Sequence, residues 1–146
     1  ESPQHFLVAA EAESDRALYG RTLLRRFPTA AITDAGVAGA LVLAPQASHY
    51  TGAVVNITGA GAALRLVSAL RKANPKLPIV AVCSVDRSVD AFAVGASRFL
   101  LSTEWLMIGA MLSDVIEIAR RNEQKRWADS GPPSNEDAAG AGTFVA

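Results

Sequence analysis

The sequence predicts an α/β domain built on a parallel sheet covered on both faces. Two observations carry this. Five short apolar runs alternate with five stretches of helical periodicity, joined by short connections. The run Pro78-Ile-Val-Ala-Val-Cys83 is continuously apolar, as a strand buried on both faces must be. The chain has 146 residues, of which 50% are hydrophobic and 19% charged, which suits one globular domain with a real core. Net charge is zero, so no global field draws the domain to nucleic acid or to a membrane, and neither is expected as a partner. The single cysteine, Cys83, excludes an internal disulfide framework and fits a reducing compartment. Pro45, Gln46, His49 and Asn56 interrupt the charge-free span 35–64, which therefore does not read as a transmembrane helix. A cytoplasmic location is expected.

Taken in order, residues 1–4 read as a loose extension. His5 to Ala9 is a compact apolar run, long enough for one buried strand. Ser14 or Asp15 can cap the first helix, with Ala17, Gly20, Leu24 and Phe27 inward and Arg16, Arg21, Arg25 and Arg26 outward. Pro28 ends it. Ala30 to Thr33 is a weaker strand. Val37 to Ala44 should be a short helix stopped at Pro45; it carries no charge, which fits either an alanine-rich surface helix or one buried against a partner.

Ala53 to Ile57 is the third strand. The helix over 62–73 turns Leu64, Val67 and Leu70 inward and Arg65, Arg71 and Lys72 outward. The strand ending at Cys83 leads to a helix over 86–94 seated on Val89, Phe92 and Ala93, with Gly95 as its C-cap. Ser97 to Leu101 is the fifth strand. Thr103 should cap a long last helix with Trp105, Ile108, Leu112, Val115 and Ala119 on one stripe. That helix also shows a second apolar line, Met107, Met111 and Ile118. The line suits partner contact, since methionines adapt to interfaces, or a stripe that is simply wide and buried. The domain is expected over 5–121, with a helix overrun and a Gly/Pro/Ser-rich linker or tail over 122–146.

In such a fold the carboxyl ends of central strands carry the sites. The stretch Gly52-Ala-Val-Val-Asn56-Ile-Thr-Gly-Ala-Gly61 puts the polar Asn56 at one such tip, ahead of a loop of small residues. Gly59-Ala-Gly61 lacks a full dinucleotide-binding frame. Cys83 has no neighbouring base to lower its pKa. His5 and His49 make no metal-ligand spacing with each other or with Cys83. Ser84, Asp86 and Glu11 lack a histidine to act as base. No enzyme, cofactor or metal is expected.

The order of elements, with Pro78-Ile-Val-Ala-Val-Cys-Ser-Val-Asp86 and Gly95-Ala-Ser-Arg-Phe-Leu-Leu-Ser-Thr103, resembles a response-regulator receiver domain, the CheY-like family, over residues 5 to 121. The resemblance implies a doubly wound five-stranded sheet in the order 2-1-3-4-5. It also implies a site for aspartyl phosphorylation: an acidic pair and Mg²⁺ after the first strand, an aspartate at the third, a hydroxyl after the fourth, a lysine after the fifth.

This chain departs at each position. The acidic pair falls on Ala10 and Glu11, the phosphoacceptor on Asn56, the hydroxyl on Cys83 with Ser84 next to it, and the lysine on Ser102. An amide nitrogen is not a nucleophile, so Asn56 cannot form an acyl phosphate. Glu11 alone is a poor ligand set for Mg²⁺, and no cation stands where a phosphoryl group would need one. The expected reading is a degenerate receiver: a phosphorylation-independent protein-interaction module of bacterial signalling, tethered to an output domain. It would form homodimers through the surface of the fourth and fifth helices and fifth strand. Phe99, at the position of the family's switch aromatic, lacks the hydroxyl a tyrosine would swing to solvent. The alternative is a sensor whose emptied pocket binds a small molecule or anion.

Overall fold

A computed structural model of the chain describes residues 4–59 and 61–130. Five strands, β1 (His5–Ala9), β2 (Ala31–Ala35), β3 (Gly52–Asn56), β4 (Ile79–Cys83) and β5 (Arg98–Leu101), form one sheet in the order β2-β1-β3-β4-β5. Every pairing is parallel. The helices are α1 (Glu13–Arg26), α2 (Val37–Leu43), α3 (Ala62–Ala73), α4 (Ser88–Ala93) and α5 (Ile108–Ser130). The chain divides into two compact units, Glu1–Ile116 and Glu117–Ala146. The described part of the second is the length of α5 from Glu117 onward, an exposed helical stretch with ion pairs from Arg120 and Arg121 to Glu117.

Strand alternation sorts the core into two layers. Leu7, Ala9, Ala53, Val55, Ile79, Ala81 and Cys83 face one way, and Leu66, Val67 and Leu70 of α3 close over them. Phe6, Val8, Val54, Val80, Val82 and Leu100 face the other, against Tyr19 and Leu23 of α1 and Ile108 and Leu112 of α5. β4 is buried along its whole length, as its unbroken apolar sequence requires. β2 lies at an edge, and its burial is correspondingly partial.

Several elements depart from the sequence expectation. The helix α1 starts at Glu13 behind Ala12, with no side-chain cap from Ser14 or Asp15. Its buried face is Tyr19, Gly20, Thr22 and Leu23, while Ala17 and Leu24 lie outside. Leu23 and Leu24 are adjacent, and periodicity alone chose the wrong one. Beyond α2 the chain tightens into a 3₁₀ helix over Ala44–His49 instead of stopping at Pro45. Proline's missing N–H costs little in the first turn of such a helix. In α3, Ala63 and Leu66 are buried with Val67 and Leu70, and Leu64 is only partly so.

The last helix begins later than expected. Ser102–Met107 forms a 3₁₀ helix with a break at Glu104, and α5 starts at Ile108. Glu104 accepts the Leu101 backbone N–H at 2.9 Å, which fixes the exit from β5 and replaces the Thr103 cap. Ile108 and Leu112 are the buried members of the expected stripe; Trp105 and Val115 are partly covered, and Ala119 is exposed in the second unit. Met111 packs against the second core layer, so the line Met107, Met111 and Ile118 is not one exposed stripe.

Arg71, expected to point outward, instead locks α3 to the approach to β5. Its guanidinium donates to the backbone oxygens of Gly95 (2.9 Å), Asn74 (3.2 Å) and Pro75 (2.9 Å) and to Ser97 Oγ (3.2 Å). Partial burial lowers its pKa from the ordinary arginine value. In α4 the buried residue is Ala91, while Val89 and Phe92 point to solvent. Of this six-residue helix only Ala91 reaches the core; Ala93, also expected there, is exposed.

Candidate functional site

The parallel register sets the carboxyl ends of β1, β3, β4 and β5 along one edge: Ala9 lies beside Val55, Asn56 beside Val82, and Cys83 beside Leu101. The residues leaving these strands therefore converge. They frame a hollow of about 310 Å³ lined by Glu11, Ala12, Asp15, Asn56, Thr58, Ser84 and Ser102.

Of the six positions singled out from the sequence, Glu11, Asn56, Ser84 and Ser102 line the hollow. Ala10 and Cys83 do not. Both are buried, Ala10 in the layer against α1 and Cys83 in the layer against α3. At the fourth strand the hollow is therefore faced by exposed Ser84 and not by Cys83. Sequence reasoning missed Asp15, which it treated only as a helix cap, and Thr58, which the spacing of an α/β strand end gave no reason to notice. Phe99 is partly buried and packs against the α3 side of the core.

Asn56 is held on both sides. Its Nδ2 donates to the Tyr19 hydroxyl at 2.9 Å, and its Oδ1 accepts the Thr58 backbone N–H at 2.8 Å. The second bond is an Asx turn that bends the chain out of β3. The first ties the strand tip to α1. Tyr19 carries no cue in the sequence, since only the fold brings it across 37 positions to Asn56. Burial pushes the Tyr19 phenol above its usual pKa; the Asn56 hydrogen bond opposes this and the Asp15 charge adds to it. Thr58 extends the network: its hydroxyl contacts Cys83 Sγ at 3.7 Å and accepts the Ser84 N–H at 3.2 Å.

Electrostatically the hollow holds two carboxylates, Glu11 and Asp15, and no cation. The nearby arginines are committed to the backbone. Arg16 Nη1 donates to the oxygens of Ala10 (2.8 Å) and Glu11 (3.1 Å), and its Nε lies 3.8 Å from Asp34. Arg87 Nη1 donates to Ile57 O at 3.2 Å, pinning the β3–α3 loop from the start of α4. The Mg²⁺ that the family resemblance associates with this edge needs several hard, anionic oxygens. Here the Asn56 oxygen already accepts Thr58 N–H. Among the described residues no three His, Cys, Asp or Glu side chains converge to hold a metal ion. The donor set does not fit a dedicated Mg²⁺ site.

No family model matches the chain, and no curated protein matches it. Solved structures do. The chain is 17% identical to NtrX from Brucella abortus, solved in complex with ADP, with a TM-score of 0.72 over 86% of this chain and 30% of that one. It thus spans less than a third of the length of NtrX. A CheY-like receiver domain protein from Methanospirillum hungatei is 14% identical, with a TM-score of 0.67 over 85% of this chain and 99% of that one. A response regulator from Burkholderia pseudomallei, solved with a phosphorylated aspartic acid, a calcium ion and citrate, is 23% identical, with a TM-score of 0.63 over 88% and 75%. No described helix is long and apolar enough to cross a membrane. The strand order, the all-parallel pairing and these neighbours together give the chain the CheY-like fold of response-regulator receiver domains.

Proposed function

We propose that this domain is a receiver-like interaction module of bacterial two-component signalling that works without aspartyl phosphorylation and regulates an output domain of the same protein. One observation carries the reading. The residue at the tip of β3 is a carboxamide, and both of its ends are already engaged, by Tyr19 and by Thr58. An amide offers no acceptor for a phosphoryl group, and a tip fixed to α1 and to its own loop holds one arrangement. Ser102 adds no cation to stabilise such a group. Receiver domains with the same fold occur as parts of longer proteins, as in NtrX.

With the phosphorylation chemistry gone, binding falls to the surface of α4, β5 and α5. Val85, Val89 and Phe92 are exposed beside and on α4, and Leu106 and Met107 before α5. Isolated apolar residues on a surface are ordinary, but two on one short helix with a third just before it suit an interface core. Homodimerisation through this surface follows, on Val89 and Phe92 more than on Met111.

The test is incubation with acetyl phosphate and Mg²⁺ followed by intact-protein mass spectrometry. The wild-type domain and the Asn56→Asp variant should both stay unmodified, because the variant restores the acceptor but neither the second acid at Ala10 nor a lysine at Ser102. Mg²⁺-dependent phosphorylation of the wild type would overturn the reading.

A second reading makes the hollow a ligand pocket, and its size and polar lining favour it. Two carboxylates without a cation argue against an anion and for a neutral or cationic small molecule. A ligand of the folded state must raise the melting temperature, so a thermal-shift screen of nucleosides and amines separates this sensor from a pure interaction module.

A further inference from the structure

The outer face of α1 and the 3₁₀ helix over Ser102–Met107 frame a hollow of about 460 Å³, lined by Leu18, Arg21, Thr22, Leu24, Arg25 and Trp105. The lining combines three apolar side chains, one of them an indole, with two guanidinium groups, and it includes no acidic side chain. Arg16, Arg71 and Arg87 are spent on backbone oxygens. Arg21 and Arg25 are exposed, and among the described residues their side chains have no ion pair or hydrogen bond. The hollow shares no lining residue with the one at the strand tips, so what it binds is independent of the assignment made there.

We propose that this hollow binds a purine mononucleotide, with the base against Trp105, Leu18 and Leu24 and the phosphate between Arg21 and Arg25. The volume exceeds what a phosphate alone fills and falls within the range of small-molecule pockets, roughly 300–1,000 Å³. Such pockets have a mostly apolar lining with a few polar groups that fix orientation, as here. Arg21 and Arg25 are one turn apart on α1, about 6 Å from each other, so a phosphate between them accepts from both. A phosphate monoester carries close to two negative charges at neutral pH, which the pair balances, and its oxygens match the guanidinium fork. Stacking on an indole suits any base and favours the larger purines. Thr22 donates its hydroxyl proton to Leu18 O at 3.0 Å, so it does not read the base edge, and AMP and GMP should bind alike. The zero net charge of the chain argues for a free nucleotide over a nucleic-acid strand.

Trp105 reports on the hollow directly. The chain has two tryptophans, and Trp127→Phe leaves Trp105 as the single emitter. Titration with AMP should quench Trp105 saturably. Adenosine, which lacks the phosphate, should bind at least tenfold more weakly, and excess inorganic phosphate should displace AMP without quenching.

The double variant Arg21→Gln/Arg25→Gln should bind AMP at least tenfold more weakly and adenosine as before. Both arginines are exposed, so circular dichroism of the variant should match wild type. Asp15→Asn, in the strand-tip hollow, should leave the AMP titration unchanged. An AMP response that is absent or does not saturate overturns the proposal, as does equal binding of AMP and adenosine or unchanged AMP binding by the double variant. So does tighter binding of a single-stranded RNA oligonucleotide than of AMP at physiological salt, or loss of AMP binding in Asp15→Asn.

Discussion

Replacing Gly95 by alanine tests how α4 and the approach to β5 are fastened to the rest of the domain. Gly95 has φ +112°, outside the range an L side chain adopts without strain. A Cβ there would lie 2.8 Å from Arg71 Cγ and 3.0 Å from its Cβ. The conformational part costs about 1–3 kcal/mol. The steric part forces the Arg71 stem aside, and with it the guanidinium that bonds Gly95, Asn74, Pro75 and Ser97. A hydrogen bond to a charged group is worth about 1.5–3 kcal/mol, and water can replace part of this network, so about one bond's worth is lost.

The sum is about 2.5–6 kcal/mol, read by urea denaturation. Gly59 supplies an internal control: its φ is +105°, yet nothing lies within 4 Å of a Cβ built on it. Gly59→Ala should therefore cost the conformational part alone. In an Arg71→Ala background most of the excess at Gly95 should vanish, since that variant already lacks Cγ and the guanidinium bonds and keeps only the 3.0 Å Cβ contact. Equal costs for Gly59→Ala and Gly95→Ala, or an excess undiminished by Arg71→Ala, would refute this account of the fastening.

Tyr19→Phe unpairs Asn56 Nδ2 and should cost about 1 kcal/mol at neutral pH. Because the folded state holds the Tyr19 phenol above its usual pKa, its contribution is complete below about pH 10 and is lost as pH rises through the folded value. Denaturation series should show wild-type stability falling more steeply than that of Tyr19→Phe above that point; parallel profiles would contradict the placement. Met111→Ala should cost about 1–3 kcal/mol, since Met111 is partly buried against the core, and Met107→Ala no more than about 0.5; thermal denaturation distinguishes them. On the proposed homodimer, Phe92→Glu should reduce the mass seen by light scattering relative to wild type, with no loss in melting temperature. An unchanged dimer would move the interface off α4.

The parts of the fold legible in the sequence are those where burial on both faces leaves a continuous mark. β4 is the best case, and the alternation of strands with helical stretches conveyed the sheet. What escaped has physical reasons. In α1 the adjacent Leu23 and Leu24 suit the same periodic pattern, and only the fold decides which of them goes in. Val89 and Phe92 are apolar whether they meet the core or a partner, and only the packing of α4 shows that Ala91 goes in. The 3₁₀ helices have no strong amphipathic period, so the sequence starts the last helix just after Thr103 instead of at Ile108. At the strand tips, Asn56, Glu11, Ser84 and Ser102 could be placed because strand ends are easy to locate. Tyr19 and Thr58 could not, since their roles arise from closure across the sheet edge.

The sulfur at the end of β4 offers a clock. Cys83 is the chain's only thiol, sealed at 1% exposure and touched by the Thr58 hydroxyl from the same loop that Asn56 bends. A thiol reagent can reach it only when the loop lifts from the strand ends or the helices packed over this core layer move off it. Its labelling rate, compared with that of the unfolded chain, thus measures the free energy of this local opening without any introduced label. Substitutions at Tyr19, Asn56 or Arg87, each of which holds the same loop from a different side, can be ranked on that single scale.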